Sequence, residues 1–297
     1  MISILRYHEP NLGARLGCLL DGSVYDVTPQ VGSLTTWLQT SVGHVSEALS
    51  ELERIAAGSK SSFAYAELDH PPSAGSPHLL SPVECQEVWG AGVTYLRSRD
   101  ARQAEAVDGG DVYARVYAAA RPELFLKALG EKTVGPRHFV GIRADASWSV
   151  PEPELTILFN PALEAVGYTI GNDLSSRDIE GANPLYLPQA KIYTAACALG
   201  PLIALQPLEA WPQVEIRLTI TRAGAEVFTA ATHSRLIQRP LMELAAYLGR
   251  SNSFPYGVAL LSGTGIVPPN DFSLQSGDWV AIAMDGVGEL FNPVEVV

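Results

Sequence analysis

The 297-residue chain predicts a β-rich α+β protein, with a small N-terminal α+β domain over residues 1–80 and a strand-dominated domain over residues 81–297. Three observations lead there. Apolar runs of strand length, bounded by turn residues or charge, crowd the region after residue 80. Strand and long helix do not alternate as a doubly wound sheet needs. The stretch 59–82, rich in Ser, Pro and Gly, reads as a linker and sets the boundary near residue 80.

Residues 2–28 read as short strands, with Asp21-Gly22 in "LLDGSVYDV" suited to a hairpin turn. "SLTTWL" and "VSEALSELERIAAG" read as helices, the second from an apolar 3-4 repeat that ends at Gly58. Beyond the linker the strands are "EVWGAGVTY", "HFVGI", "ELTILFN", "AVGYTIGND", "QVEIRLTI" and "GDWVAIAM". Helices are expected at "SRDARQAEAV", "RPELFLKAL" and "RPLMELAAYLGR", the last starting at Pro240.

A hydrophobic content of 47% with 18% charged residues describes an ordered globular chain. The formal net charge of -12 argues against nucleic-acid binding, which needs a basic surface, and means an anionic substrate requires a metal or a local basic group. No secretory leader or membrane span is read, and Cys18, Cys85 and Cys197 are too scattered for a disulfide framework or zinc knuckle, so a cytoplasmic location is expected. "GAGVTYLRSR" lacks the spacing of a dinucleotide loop and the Lys-Ser/Thr ending of a phosphate loop.

Glu152 and Glu154 flank Pro153 at the start of an apolar strand, where alternation points both the same way. Unpartnered, they repel; a divalent cation turns the repulsion into coordination. An isolated Glu-x-Glu is more often a solvated strand entrance. Asp173, at the end of "AVGYTIGND", is by itself a turn cap, yet with the two glutamates it completes a hard oxygen set suited to magnesium. Lys191 in "LPQAKIY" reads either as a lysine packed beside Tyr186 and Tyr193 or as a proton carrier. Glu123 and Lys127, four apart in the expected helix, read as an ion pair, with Glu123 turned into the cleft as the alternative.

The ordered set "RPELFLKA", "PEPELTILFN", "GYTIGNDLSSRDIEG", "LPQAKIY...CALGP" and "LLSGTGIVPP" resembles the fumarylacetoacetate hydrolase superfamily over residues 83–297, and most closely its branch that dehydrates 2-keto-3-deoxy-pentonates. The resemblance implies a mixed β-sandwich roll preceded by the small domain, with Mg2+ (Mn2+ as a substitute) on Glu152, Glu154 and Asp173. It also implies Lys191 beside the 2-oxo sugar acid, Glu123 at the cleft, Thr264 in the loop receiving the substrate carboxylate, and a homodimer or homotetramer. Either Lys191 or Glu123 is expected to exchange protons, giving 2,5-dioxopentanoate (α-ketoglutarate semialdehyde) and water. Ser175, Ser176, Arg177, Asn183 and Tyr186 read as pocket wall or turn, and Arg97 and Arg99 as part of a lid or of an exposed helix.

The superfamily's carbon-carbon hydrolases and oxaloacetate decarboxylases typically carry a His-Glu pair after the "NY" region, and "GVTYLRSRDARQAEA" has no histidine. Acylpyruvate or fumarylpyruvate hydrolysis and oxaloacetate decarboxylation are therefore alternatives, followed by noncatalytic oxoacid binding.

Overall fold

The computed structural model describes residues 2–95 and 119–297. The helix expected at residues 98–107, with Arg97 and Arg99, lies outside the described residues. The elements run β1 (Ser3–Glu9), β2 (Gly13–Leu20), β3 (Ser23–Asp26), α1 (Thr28–Val31), α2 (Leu34–Thr40), α3 (Val45–Gly58), β4 (Ser61–Ala64), β5 (His78–Leu79) and β6 (Glu87–Gly92). Then come β7 (Glu123–Leu129), β8 (Val140–Ile142), β9 (Ser149–Val150), β10 (Pro153–Phe159), β11 (Ala165–Asp173), β12 (Ser175–Ser176), α4 (Arg177–Ala182) and α5 (Leu187–Lys191). The chain closes with β13 (Cys197–Leu208), β14 (Glu215–Arg222), β15 (Ala225–His233), α6 (Leu241–Leu248), β16 (Val258–Leu261), β17 (Trp279–Met284) and β18 (Gly288–Val296).

An 11-stranded sheet runs in the order β4-β3-β2-β1-β13-β11-β10-β16-β6-β7, with β5 added on β1, and a 5-stranded sheet runs β15-β14-β17-β18-β8. Leu155, Ile157 and Phe159 of β10 pack toward the smaller sheet and share a core with Ile216, Leu218 and Ile220 of β14. On the opposite face, Leu158 and Val166 join Trp37 and Leu38 of α2 and Leu52 and Ala56 of α3. With both faces covered, β10 and β11 are buried at every position, and this is why their sequences are apolar runs instead of alternating ones.

Asp21 and Gly22, both at positive φ, turn β2 into β3 with Leu20 opposite Ser23, the two-residue hairpin expected there. β1 pairs with β13, so strands from both sides of residue 80 share one sheet. The stretch read as a linker is correspondingly more structured than its composition suggested, since β4 pairs with β3 and β5 with β1.

"RPELFLKAL" is a strand, not the expected helix. Its Glu, Leu, Lys and Ala are good helix formers, but pairing with β6 along the whole segment outweighs a propensity of about 0.7 kcal/mol or less per residue. Gly90 and Gly92 of β6 lie opposite Phe125 and Glu123, and any Cβ at either glycine would overlap the facing side chain. The glycines of "GAG" thus admit these two side chains across the strand.

Candidate active site

The carboxylates come together through the register of β10 and β11. Pro153 pairs with Asn172 and Glu154 with Gly171, while the Asp173 N–H donates to the Glu152 carbonyl at 3.0 Å. Glu152, Glu154 and Asp173 therefore share one face, the same face that α2 and α3 cover further along β10. One oxygen from each carboxyl lies within 4.8 Å of the other two, and all three side chains are buried. Gly171 puts no side chain beside Glu154. Pro153 precedes the point where β16 joins at Thr156, so its missing N–H interrupts no bond to that strand.

Among the described residues, three buried cations surround this set. Lys191, the last residue of α5, donates to Glu152 Oε2 at 2.8 Å, Asp173 Oδ2 at 3.0 Å and Ser175 Oγ at 2.6 Å, an acceptor for each ammonium hydrogen. Arg177 Nη2 lies 3.0 Å from Glu152 Oε1. Lys127 Nζ lies 2.5 Å from Asp173 Oδ1 and donates to the carbonyls of Leu174 (2.8 Å) and Lys191 (2.6 Å). The helical Glu123–Lys127 pair expected from the sequence is thereby corrected: Lys127 turns to Asp173 from a strand.

Glu154 is treated differently. Its Oε2 accepts the Gly263 N–H at 2.6 Å, and no ion pair reaches it among the described residues. Gly263 sits at φ +83°, a conformation in which a side chain would also strike Thr94. Burial, reinforced by the charges of Asp173 and Glu152 and opposed by Lys191 and the Gly263 N–H, raises the Glu154 carboxyl well above the usual carboxylate range.

Glu123, Glu152, Glu154, Asp173, Lys191 and Thr264 all line one cavity, together with Gly92, Phe125, Glu180 and Gly263. Its space of about 20 Å³ is on the scale of one ion or water. Thr264 is buried there, its Oγ accepting the Ile266 N–H at 3.1 Å. Among the described residues, the five carboxylates Glu123, Glu152, Glu154, Asp173 and Glu180 meet the three cations Lys127, Arg177 and Lys191. The all-oxygen donor set suits a hard ion such as magnesium.

Sequence reasoning missed two members. Lys127 had been assigned to the expected helix, and Glu180 lies in "SSRDIEGANPLYLP", a stretch that reads as pocket wall or turn without singling this residue out; its burial follows from α4 docking on α5, β9 and β12. Of the other wall residues, Ser175, Ser176 and Arg177 are buried, Asn183 caps the Leu185 N–H and Tyr186 is exposed. His138 lies against Phe139 with the rings tilted by 37°, and His233 caps the turn after β15, both away from the cavity.

Residues 148–295 match the family model described as fumarylacetoacetate (FAA) hydrolase C-terminal. The chain is 38% identical over 303 residues to a probable 2-keto-3-deoxyxylonate dehydratase of Haloferax volcanii, covering 99% of this chain and 100% of that protein. It is also 38% identical over 221 residues to the 2-dehydro-3-deoxy-D-arabinonate dehydratase of Saccharolobus solfataricus, covering 73% of this chain and 74% of the relative. A solved 2-keto-3-deoxy-D-arabinonate dehydratase, complexed with magnesium and 2,5-dioxopentanoate, superposes with a TM-score of 0.83 at 30% identity, over 100% of this chain and 99% of that one.

Proposed function

The chain belongs to the fumarylacetoacetate hydrolase family, and on that premise we propose that it is a magnesium-dependent dehydratase converting a 2-keto-3-deoxy-pentonate to 2,5-dioxopentanoate and water. The observation that carries the reading is a buried carboxylate triad sharing its cavity with Lys191 and Glu123, in a site without histidine. No histidine occurs in residues 96–118 either, so the His-Glu route to an activated water has no counterpart in that stretch.

Glu152, Glu154 and Asp173 would hold the magnesium. When bound, the ion supplies a Lewis acid for the carboxylate and C2 oxygen of a 2-oxoacid. Lys191, its hydrogens committed to two carboxylates and Ser175, acts as a fixed positive charge beside the substrate, favouring the negative charge that develops at the C2 oxygen. Glu123, in its berth over Gly92, takes the C3 proton. The Gly-Thr-Gly loop at Thr264, anchored through Gly263 to Glu154, receives the substrate carboxylate. Elimination of the C4 hydroxyl then needs an acid and no water nucleophile.

A homodimer or homotetramer in the cytoplasm belongs to the same reading, and light scattering of the purified protein tests the assembly. No helix among the described residues is long and apolar enough to cross a membrane. The activity is tested by mass-resolved product analysis with magnesium and 2-keto-3-deoxy-pentonates of both C4 configurations. A five-carbon product lighter by one water is expected from at least one; release of pyruvate from acylpyruvates with neither pentonate consumed would replace dehydration by hydrolysis.

A further inference from the structure

Dehydration moves protons at two places, off C3 and onto the C4 oxygen, and the reading above supplies a residue only for the first. Lys191 is poorly placed for the second, because its three hydrogens already have acceptors. Among the described residues, the cavity holds one more carboxyl outside the proposed metal set, Glu180, which is only 5% exposed. A glutamate this deeply buried is uncommon, and polar groups that converge on a cleft are the groups a binding or catalytic site is built from.

We propose that Glu180 is the catalytic acid that delivers a proton to the leaving C4 hydroxyl, an assignment that rests on the dehydratase reading. Position supports the division of labour. Glu123 and Thr264 approach from the two strands that flank β6, Glu123 on β7 opposite Gly92 and Thr264 just beyond β16. The carboxylate end of the substrate and its C3 therefore lie on that side. Glu180 enters from α4, packed on α5, β9 and β12, and so meets the hydroxyl-bearing end.

The proton balance closes. Glu123 takes the C3 proton, and the C–H pair becomes the C2=C3 bond while the carbonyl pair moves to oxygen. That pair returns, C3=C4 forms, and the C4–O bond breaks with its pair on oxygen, which the Glu180 proton converts to water. The Glu180 carboxylate then removes a proton from C5 as Glu123 returns one to C3. Both residues regain their starting states, and the resulting C4=C5 enol becomes the aldehyde in water.

The test compares two probes with magnesium in D2O: the pentonate consumed by the wild type, and 2-oxopentanoate, which has C3 hydrogens but no C4 hydroxyl. Glu180→Gln should lower dehydration by about 10²–10⁴-fold while C3 deuterium exchange of 2-oxopentanoate, followed by proton NMR, stays within a few fold of wild type. Glu123→Gln should lose both, and Glu180→Asp should regain part of the dehydration. Loss of C3 exchange in Glu180→Gln, or dehydration at the wild-type rate, overturns the assignment; a magnesium-induced rise in melting temperature verifies each variant's fold and metal site. A wild type that exchanges 2-oxopentanoate but dehydrates neither C4 epimer would instead overturn the dehydratase reading, and the assignment with it.

Discussion

Replacing Lys127 by Met keeps the length of the side chain and removes its charge from a position 1% exposed. Asp173 Oδ1 then loses its cation at 2.5 Å, and the carbonyls of Leu174 and Lys191 lose their donors. Breaking one member of a buried ion pair costs roughly 3–5 kcal/mol. Lys191 still holds Asp173 Oδ2 at 3.0 Å, so the lower end applies, about 3 kcal/mol. At roughly 2–4 °C per kcal/mol for a chain of this size, Tm should fall by about 6–12 °C. Calorimetry in EDTA reads that fall. In magnesium the deficit should shrink, because the ion supplies the charge that Asp173 has lost, so the rise in Tm on adding magnesium should be larger than in wild type. A fall of less than about 2 °C, or a smaller magnesium-induced rise, would refute the argument that Lys127 neutralises a metal-binding carboxylate.

Three further outcomes follow from the same geometry. Glu154→Gln removes a carboxyl that burial and its neighbours disfavour as an anion, so Tm in EDTA should hold or rise while the magnesium-induced rise disappears in calorimetry. Gly92→Ala places a methyl group against the Glu123 carboxylate at a position without positive φ; turnover should fall at least about 10²-fold with Tm within about 3 °C of wild type, measured by product formation and calorimetry. Burial pushes the Cys18 and Cys197 thiols up from 9.0 to about 12, whereas Cys85 is exposed. A thiol reagent at pH 8 should therefore modify Cys85 alone in the native protein. Between pH 9 and 12 the folded state keeps protons that the unfolded state releases, so stability should decline as pH rises, by at most about 1.4 kcal/mol per unit for each thiol, as urea titrations across that range would show.

β10 and β11 were legible because burial on both faces writes an unbroken apolar run, and the shared face of Glu152 and Glu154 follows from alternation alone. The approach of Asp173 was visible only as a composition argument, since its position is set by the pairing of Glu152 with Asp173, a long-range register that no short window contains. The long strand β13 escaped notice because Pro201 interrupts its apolar run; the structure accommodates it near Gly200, where the pairing with β11 shifts register. β7 was misread because its residues suit a helix, and the decisive information lay about 35 residues upstream in Gly90 and Gly92, whose missing Cβ atoms admit Phe125 and Glu123. Lys127 and Glu180 share this limitation: their chemistry comes from burial, and burial is a property of docked elements, not of the local sequence.

The distribution of cations within the site explains why the three carboxylates proposed to hold magnesium are not equivalent. Glu152 has Arg177 and Lys191, and Asp173 has Lys127 and Lys191, so each retains a compensated charge before any ion arrives. Among the described residues, Glu154 has a single backbone donor. A fourth cation at Glu154 would satisfy it permanently and leave less of the attraction needed to draw a divalent ion from water. Among the described residues the cations gather on Glu152 and Asp173, where Lys127, Lys191 and Arg177 keep the two carboxylates from repelling one another out of register, and Glu154 keeps the Gly263 N–H. The cost falls on Glu154, whose carboxyl is held well above the usual carboxylate range by burial and by the charges of Asp173 and Glu152.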